Sequence, residues 1–568
     1  MDELTIINPV AASRAEDPAN TLFDPAKRLG TLSGKTIGLY WNGKNNGQYA
    51  LAETRSGIER RFPDARFLEY TGSEGGVLRR ASVDQLDTMA AECDAVVGTT
   101  ADCGSCTSWL VRDMSEIERR GTPALCWTAS EFLDDATFSA NIFGCPTIGI
   151  VEVPECFTSN SLDVIATMVD EAMDQVIGLL TVPQVAGATT HPLTAPESRE
   201  LSYTGRDLLA CSDEMNRQFV EARWSDGLPL VPPTEAKVAA MVAASGLPAD
   251  HVVGEFEPGF GVGTIEKLAA NAVMAGCRPE HMPVVVAIGR CLVDPRMGTR
   301  FWGMSTGPQA PLVMVSGPYA QAIGMNSGVC AIGPGSPSHV NVVIGRATRL
   351  ILMNVGLAYP GVSDMDTQGS TMKFGYCVAE NEQRNPWAPY RVTQGFAAES
   401  TTVTVNCPYG ADAIYDFEND EPETLARVIA DAASNPTGPH SGYWLVNNAG
   451  EKTGPALFAG DPTNVLMLSP EHARNFERGG WSLQDIKHRV FELCRQPFEQ
   501  VMRNHSYDLF KLAQPHLQWL LDAPHQEVSL FMHEDTIDII VVGGDAGWST
   551  WHRGGTYSIT REVELPGS

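Results

Sequence analysis

CDAVVGTTADCGSCTSWLVRDMSEIERR, residues 93–120, decides how the first third of the chain folds. The apolar run of residues 93–100 predicts a short buried strand, and the amphipathic run of residues 107–120 predicts a helix. Cys103 and Cys106 fall in the turn between them. Such a turn aims sulfur atoms at the free N–H groups of a helix start, where the positive end of the helix dipole favours a thiolate over a thiol. We therefore expect at least one of the two thiols to be nucleophilic near neutral pH.

Strand-like and helix-like runs alternate on both sides of this turn. The predicted strands cover residues 36–41, 65–70, 93–100, 124–128 and 147–151, and the predicted helices cover residues 51–61, 83–92, 107–120, 131–141 and 162–180. Parallel strands need crossover connections, which are usually helices, so this alternation predicts a parallel sheet covered on both faces. The expected fold class is α/β, with a doubly wound, Rossmann- or flavodoxin-like domain over residues 30–182 that carries the CGSC turn.

Ligands of a doubly wound domain collect beyond the carboxyl ends of its strands. The CGSC turn lies at one such end, and the loop of residues 42–47, NGKNNG, follows the first strand predicted for this domain. Asn42 and Lys44 in that loop are candidate ligands for a carboxylate or a phosphate, although a plain polar turn has the same composition. Thr107 and Ser108, at the start of the predicted helix, are further candidates for substrate binding.

Composition argues against several classes of partner. The 568 residues include 40 Lys and Arg against 69 Asp and Glu, a net charge of -29 without a basic run, so nucleic acid and anionic membrane surfaces are poor partners. The first residues lack a basic start, and no run reaches the about 18 apolar residues of a membrane span. Thirteen scattered cysteines suit a reducing compartment. We expect a cytoplasmic homo-oligomer that acts on a small molecule.

The rest of the chain predicts a linker and a second module. Residues 1–29 form an N-terminal extension, and residues 183–200, rich in Pro, Thr and Ala, have the composition of a linker. Residues 201–568 mix helix and strand signals and predict a larger mixed α/β module, in one or two subdomains, that binds the substrate. The stretch of residues 200–222 at its start is predicted to be helical.

Four polar residues of this module are candidate substrate ligands. Asn271 is a polar member of a largely apolar helix, and Asn326, His339 and Asn341 belong to a glycine- and serine-rich loop that runs into a helix. Loops of this kind can cradle anions at the helix start, and a histidine there can exchange protons. Cys277 follows the Asn271 helix at its C-terminal end, where the dipole raises a thiol pKa, and is therefore interpreted as structural.

Residues 99–129, TTADCGSCTSWLVRDMSEIERRGTPALCWTA, resemble the selenocysteine-containing segment of the selenoprotein subunits of glycine, sarcosine, betaine and proline reductases. They are still more similar to the small UGSC selenoproteins, here in cysteine form, with Cys103 at the selenocysteine position. The likeness extends loosely over residues 36–154. In those reductases the selenol attacks a substrate carbon, displaces an amine and is released by thiols. The resemblance implies Cys103 as nucleophile, Cys106 as its resolving partner, and an external thiol or thiol protein as reductant.

The remainder, residues 200–568, resembles the partner module that accompanies UGSC-type proteins. The likeness is carried by three stretches, AVMAGCRPEHMPVVVAI, AENEQRNPW and LSPEHARNFERGGWS. The two resemblances together imply a UGSC-type domain fused to its partner module, whose chemistry is uncharacterised.

Several interpretations of the cysteine pair stay open at this stage. A substrate-attacking thiol would make the protein a reductase- or lyase-like enzyme that makes or breaks a C–S or C–N bond on a small organic acid or amine. Cys103 can instead carry a persulfide or thioester in sulfur transfer, or the pair can be a redox sensor or electron shuttle. Cys126 and Cys145 could complete a zinc site with the pair. Both sulfurs could also pack inertly, although Gly104 and Ser105 favour an exposed turn. No cofactor and no metal is otherwise predicted.

Overall fold

The structure is a computed structural model that describes residues 1–14, 22–75, 78–183, 198–436, 438, 441–447 and 462–567. Of the linker predicted over residues 183–200, residues 184–197 lie outside these ranges. Within the described ranges, no helix has both the length and the apolar character needed to cross a membrane. We use "N-terminal domain" for residues 30–182 and "second module" for residues 198–567.

The first third of the chain alternates strands and helices. Its elements are β1 (Asp2–Ile7), β2 (Thr36–Trp41), α1 (Gly47–Arg61), β3 (Arg66–Thr71), β4 (Glu74–Gly75), β5 (Arg79–Arg80), α2 (Val83–Glu92), β6 (Ala95–Ala101), α3 (Gly104–Arg119), β7 (Ala124–Ala129), α4 (Leu133–Ile142), β8 (Gly149–Val153) and α5 (Leu162–Thr181). Each strand and helix predicted between residues 36 and 180 is present, with its ends shifted by a few residues at most.

Five parallel strands build the sheet of the N-terminal domain, in the order β3-β2-β6-β7-β8. Every residue of β6 and β7 is buried, because helices cover both faces of the sheet. The strand order reverses between β2 and β6, as it does in flavodoxin-like domains, and such a reversal opens a crevice at the carboxyl ends of the two strands. The predicted doubly wound α/β domain is confirmed.

Helix α3 is tied to the sheet by a buried polar contact as well as by apolar packing. Leu110, Met114 and Ile117 lie in the apolar cluster between α3 and the strands. Asp113, on the same helix, accepts hydrogen bonds from the Tyr40 hydroxyl on β2 at 2.8 Å and from the Ala81 N–H at 2.8 Å. The contact fixes the rotation of α3, so the direction in which its first turn points is set by the sheet.

The second module is larger and mixed. Its elements are β9 (Glu200–Gly205), α6 (Leu208–Glu221), α7 (Glu235–Ser245), β10 (Val252–Phe256), β11 (Gly261–Thr264), α8 (Ile265–Ala275), α9 (Met282–Leu292), α10 (Thr299–Gly303), β12 (Leu312–Ser316), α11 (Pro318–Ala322), α12 (His339–Asn354), β13 (Cys377–Ala379), α13 (Tyr390–Thr393), β14 (Thr402–Asn406), β15 (Gly410–Tyr415), α14 (Pro422–Ala433), β16 (Asn464–Leu468), α15 (Pro470–Arg478), α16 (Leu483–Leu493), β17 (Arg495–Pro497), α17 (Phe498–Val501), α18 (Tyr507–Ala513), β18 (Glu527–Ser529), β19 (Ile537–Val541), β20 (Trp548–Arg553) and β21 (Ile559–Glu562). Two four-stranded sheets, in the orders β13-β12-β14-β21 and β15-β20-β16-β19, combine parallel and antiparallel pairs. The predicted mixed α/β character is confirmed.

The first strand of the chain pairs with the second module. β1 runs antiparallel to β9, with Asp2 opposite Gly205 and Ile7 opposite Glu200. The helix predicted over residues 200–222 is therefore wrong over its first residues, and α6 begins only at Leu208. A strand whose partner lies far away in the sequence is decided by that partner, which local propensity cannot report.

Candidate functional site

The CGSC turn lies at the carboxyl end of β6, where the strand order of the sheet reverses. The loop that follows β2 lies beside it: the Asn42 N–H donates to the Thr99 carbonyl at 2.9 Å, and Asn42 Nδ2 donates to the Thr100 carbonyl at 3.0 Å. The two loops expected to meet at this edge of the sheet do meet. In an open α/β sheet this crevice is the position at which ligands bind.

Cys103 and Cys106 are joined by a disulfide, with their Cα atoms 5.2 Å apart. Cys103 is the N-cap of α3, and its Sγ accepts a hydrogen bond from the Cys106 N–H at 3.3 Å. The Thr107 hydroxyl donates to the Cys103 carbonyl at 2.7 Å. Cys103 is partly exposed, whereas Cys106 is 1% exposed. In the reduced pair the outer sulfur is therefore the reachable one, and the inner sulfur lies within bonding distance of it.

A carboxylate precedes the pair. Asp102 is buried, its Oδ2 accepts hydrogen bonds from the Thr158 N–H at 3.0 Å and the Thr158 hydroxyl at 2.8 Å, and its Oδ1 has no partner in the part of the chain that the structure describes. The Cys156 thiol donates to the Asp102 carbonyl at 3.8 Å. Burial, helped by the Asp102 charge and opposed by Lys44, raises the pKa of Cys156 to about 11. Cys156 thus remains a thiol at neutral pH.

The second module covers the turn. The Met304 carbonyl, just after α10, comes so close to Gly104 that a Cβ there would lie 1.6 Å from the carbonyl oxygen, and Met365 Cβ would lie 3.0 Å from the same point. Gly104 and Ser105 are accordingly buried, and the exposed turn expected from these two residues is wrong. The turn is buried by tertiary packing, because the residues that cover it come from a distant part of the chain.

Arg300 reaches from α10 into the N-terminal domain. Its Nε donates to the Ser108 hydroxyl at 3.0 Å and its Nη2 to the Ser108 carbonyl at 2.9 Å. The guanidinium carbon lies 3.8 Å from the ring centroid of Trp109 and 4.3 Å from that of Phe143. Arg300 is 3% exposed, and burial lowers its pKa to about 9, so it is charged at neutral pH. A buried cation therefore joins the second module to the helix that carries the cysteines.

The four substrate-binding candidates of the N-terminal domain all lie at the turn. The side chains of three, Asn42, Thr107 and Ser108, are occupied by partners within the chain. Lys44 is partly exposed and forms no ion pair with any residue that the structure describes. Lys44 is thus the candidate whose charge is available to a substrate.

The candidates of the second module have other surroundings. Asn271 donates to the Pro9 carbonyl at 2.9 Å, and its Oδ1 accepts from Asn354 at 2.8 Å. Asn341 is bonded in both directions to the backbone of Asn326, through Oδ1 at 2.9 Å and Nδ2 at 2.8 Å. His339 is exposed at the start of α12. None of these contacts reaches the CGSC turn, and we do not propose these residues as ligands of it.

The other cysteines named from the sequence are buried thiols. Cys126 and Cys145 lie in the apolar cluster between α3 and the sheet, where burial raises the pKa of each to about 12. Cys277 donates to the Val343 carbonyl at 3.4 Å, and burial raises its pKa as well. Across the described ranges, no three His, Cys, Asp or Glu side chains are grouped so that they could hold a metal ion.

Residues 5–182 match the model of the UGSC family. They belong to the UGSC family. The match contains the whole parallel sheet, the CGSC turn and α3, and it ends just after α5. No curated protein sequence matches the chain. Membership of this selenoprotein-like family fits a cysteine-based redox role for the UGSC-family domain, and the resemblance seen in residues 99–129 is confirmed.

Sequence reasoning missed the residues that the second module brings to the UGSC-family domain. Arg300, Met304 and Met365 follow the CGSC turn by about two hundred residues or more, and an arginine in a short helix has no local signal that it will be buried. Asp102 could have been found, because a carboxylate directly before a C-x-x-C turn at a strand end is a notable neighbour for a thiol.

Proposed function

We propose that the protein is a thiol-dependent enzyme in which Cys103 attacks an activated carbon of a small organic acid or amine and Cys106 resolves the adduct. The observation that carries the proposal is the layering of the two sulfurs at the start of α3. The outer one is partly exposed in the crevice of the sheet, and the inner one is buried directly behind it. The helix start favours ionisation of the outer sulfur, which makes it a nucleophile.

The first step forms a sulfur–carbon bond. The Cys103 thiolate attacks the carbon, the carbon–nitrogen bond breaks, and the amine leaves with the electron pair and takes up a proton. Met304 and Met365 pack against Gly104, directly after Cys103, and so limit the access of water to the reacting sulfur from that side. Lys44, which has no carboxylate partner among the described residues, would hold the carboxylate of an acidic substrate.

The second step releases the product. The Cys106 thiolate attacks the sulfur of Cys103, the sulfur–sulfur bond forms and the sulfur–carbon bond breaks. The carbon leaves with the electron pair, which an adjacent carboxyl or carbonyl group stabilises, and takes up a proton. The substrate has then gained two electrons from the cysteine pair. An external dithiol returns the Cys103–Cys106 disulfide to its reduced form, and that disulfide is the state present in the structure.

Intact-mass measurement after incubation of the reduced protein with candidate amino acids, amines and organic acids tests the proposal. Cys106→Ser should accumulate an adduct on Cys103 with the mass of the substrate less its leaving group, because the resolving sulfur is gone. Cys103→Ser should form none and lose turnover. Cys156→Ser is the matched control, since it removes a neighbouring thiol of raised pKa and should leave turnover unchanged. Full turnover by Cys103→Ser would show that Cys103 is not the nucleophile.

A dithiol electron shuttle is the second candidate, favoured by the disulfide itself. The same mass measurement separates the two functions. A shuttle cycles between states that differ by two hydrogens, and it forms no carbon adduct in Cys106→Ser. Sulfur transfer, in contrast, would add the mass of one sulfur atom to Cys103.

A further inference from the structure

Helix α10 lies along one face of the first two turns of α3. Gly104 receives the Met304 carbonyl, and Ser108 receives the Arg300 guanidinium. Positions 104 and 108 are four residues apart, so they lie one above the other on the same side of the helix. Phe301, between the two contacts, packs on the cluster of Cys106 and its neighbours. The second module thus packs on the first two turns of α3, which follow Cys103.

Arg300 is the buried cation of this contact. The two other arginines near it are paired, Arg80 with Glu74 at 2.9 Å and Arg112 with Asp113 at 2.7 Å. Arg300 itself has no carboxylate within ion-pair distance in the described part of the chain. Glu257 accepts the backbone N–H of Arg300 at 2.9 Å, which anchors α10, and its charge also interacts favourably with the guanidinium.

Asp113 also interacts favourably with Arg300, and Asp135 is a further acidic group nearby. Asp135 is fully buried, and burial raises its pKa well above the usual range, with Arg300 opposing the rise. Its Oδ1 accepts from the Ser139 hydroxyl at 3.3 Å, and its Oδ2 has no partner among the described residues. Titratable groups beside Cys103 include Asp102, which precedes it, and Cys106, which is bonded to it. The Cys156 thiol lies on the Asp102 carbonyl, and the Lys44 charge acts on Cys156.

We propose that Arg300 is a positioning residue of the Cys103 site, which clamps the second module onto the start of α3 and supplies the buried positive charge that favours the Cys103 thiolate. Ser108 follows Cys103 by five residues, which is roughly 8 Å along a helix. A unit charge at that distance in a protein interior shifts an ionisation equilibrium by about tenfold or more. The inference rests on the proposed function in that Cys103 is the reacting thiol.

The test is the pH profile of Cys103 alkylation by a small neutral reagent, measured on the full reduced chain by peptide mass. Arg300→Gln should react about tenfold more slowly than the parent at pH 7. At pH 10, where the thiol is ionised in both proteins, the rates should agree. Arg296→Gln, a nearby exposed arginine paired with Asp294, is the control and should not change the profile.

Two outcomes would overturn the inference. One is a profile of Arg300→Gln that superimposes on that of the parent protein. The other is an equal change at pH 7 and pH 10, which reports access to the thiol and not its ionisation. If Arg300→Gln does not fold, Ser108→Ala replaces it in the test. This substitution removes the hydroxyl that accepts from Arg300 Nε and should slow alkylation at pH 7 at least about twofold. An unchanged rate would refute the positioning role of Arg300. Retained turnover by Cys103→Ser would refute the proposed function and leave this ionisation test intact.

Discussion

Cys103 and Cys156 lie at the same edge of the sheet in different electrostatic settings. Cys103 caps a sixteen-residue helix and receives an N–H at its sulfur. The Cys156 thiol donates a hydrogen bond to the Asp102 carbonyl. Burial and the Asp102 charge raise the pKa of Cys156. The helix start favours an anion and the carboxylate opposes one, so the two thiols should differ in reactivity although they are neighbours.

Gly104 is the residue that allows the second module to reach the turn. Replacement by alanine places a methyl group 1.6 Å from the Met304 carbonyl oxygen, so α10 has to move. We expect Gly104→Ala to lower the free energy of unfolding by about 1–3 kcal/mol and to reduce turnover, as measured by urea denaturation and steady-state assay. Gly178→Ala, where nothing lies within 4 Å of the new methyl group, is the control and should stabilise α5 slightly. A fully stable and active Gly104→Ala would contradict the close approach.

Asp135 should make stability depend on pH. Its pKa is raised in the folded protein, so above about pH 4 the unfolded chain loses a proton that the folded chain keeps. Stability should therefore fall as pH rises, by about 1.4 kcal/mol per pH unit at most, until the folded pKa is reached. Asp135→Asn should flatten this fall, whereas Asp134→Asn, at the exposed neighbour, should not. Urea denaturation between pH 5 and pH 8 measures the unfolding free energy of each protein. The prediction is wrong if this free energy falls as steeply with pH in Asp135→Asn as in the parent protein.

At the scale of elements, α3 is held on the sheet by a buried hydrogen bond as well as by apolar packing. Tyr40→Phe removes the hydroxyl that donates to Asp113 at 2.8 Å and leaves that carboxylate with one donor fewer in the core. We expect a loss of about 1–3 kcal/mol in unfolding free energy, measured by urea denaturation. Tyr70→Phe, whose hydroxyl donates to the exposed Glu92, is the control and should cost less. Equal effects of the two substitutions would show that α3 does not depend on this bond.

Elements of the N-terminal domain could be predicted because their signals are local. The strands β2, β6 and β7 are short apolar runs, and the helices between them have one apolar face, so length and periodicity decided each assignment. β9 was missed because its pairing with β1 spans most of the first third of the chain. The side-chain amides of Asn271 and Asn341 show the same limit: the chain already binds them, and no local pattern reveals a partner that arrives from elsewhere.

At the scale of the whole molecule, the two modules are packed together. One buried apolar cluster includes Leu39, Val97 and Trp127 of the parallel sheet together with Leu466 and Trp551 of the second module. The position of Cys103 could be predicted from the sequence, because the turn, the strand before it and the helix after it are contiguous. The residues that cover the turn could not be predicted. Met304 and Met365 approach Gly104 only because the two modules pack together.

We propose that the outer sulfur of the pair bonds to a substrate carbon and that the inner sulfur releases it. Intact mass of reduced Cys106→Ser after exposure to candidate small acids and amines tests this most directly. We predict one added group per chain, located at Cys103 by peptide mass and lost when Cys103 is also replaced. An unmodified Cys103 in the presence of a substrate that the parent protein turns over would contradict the account.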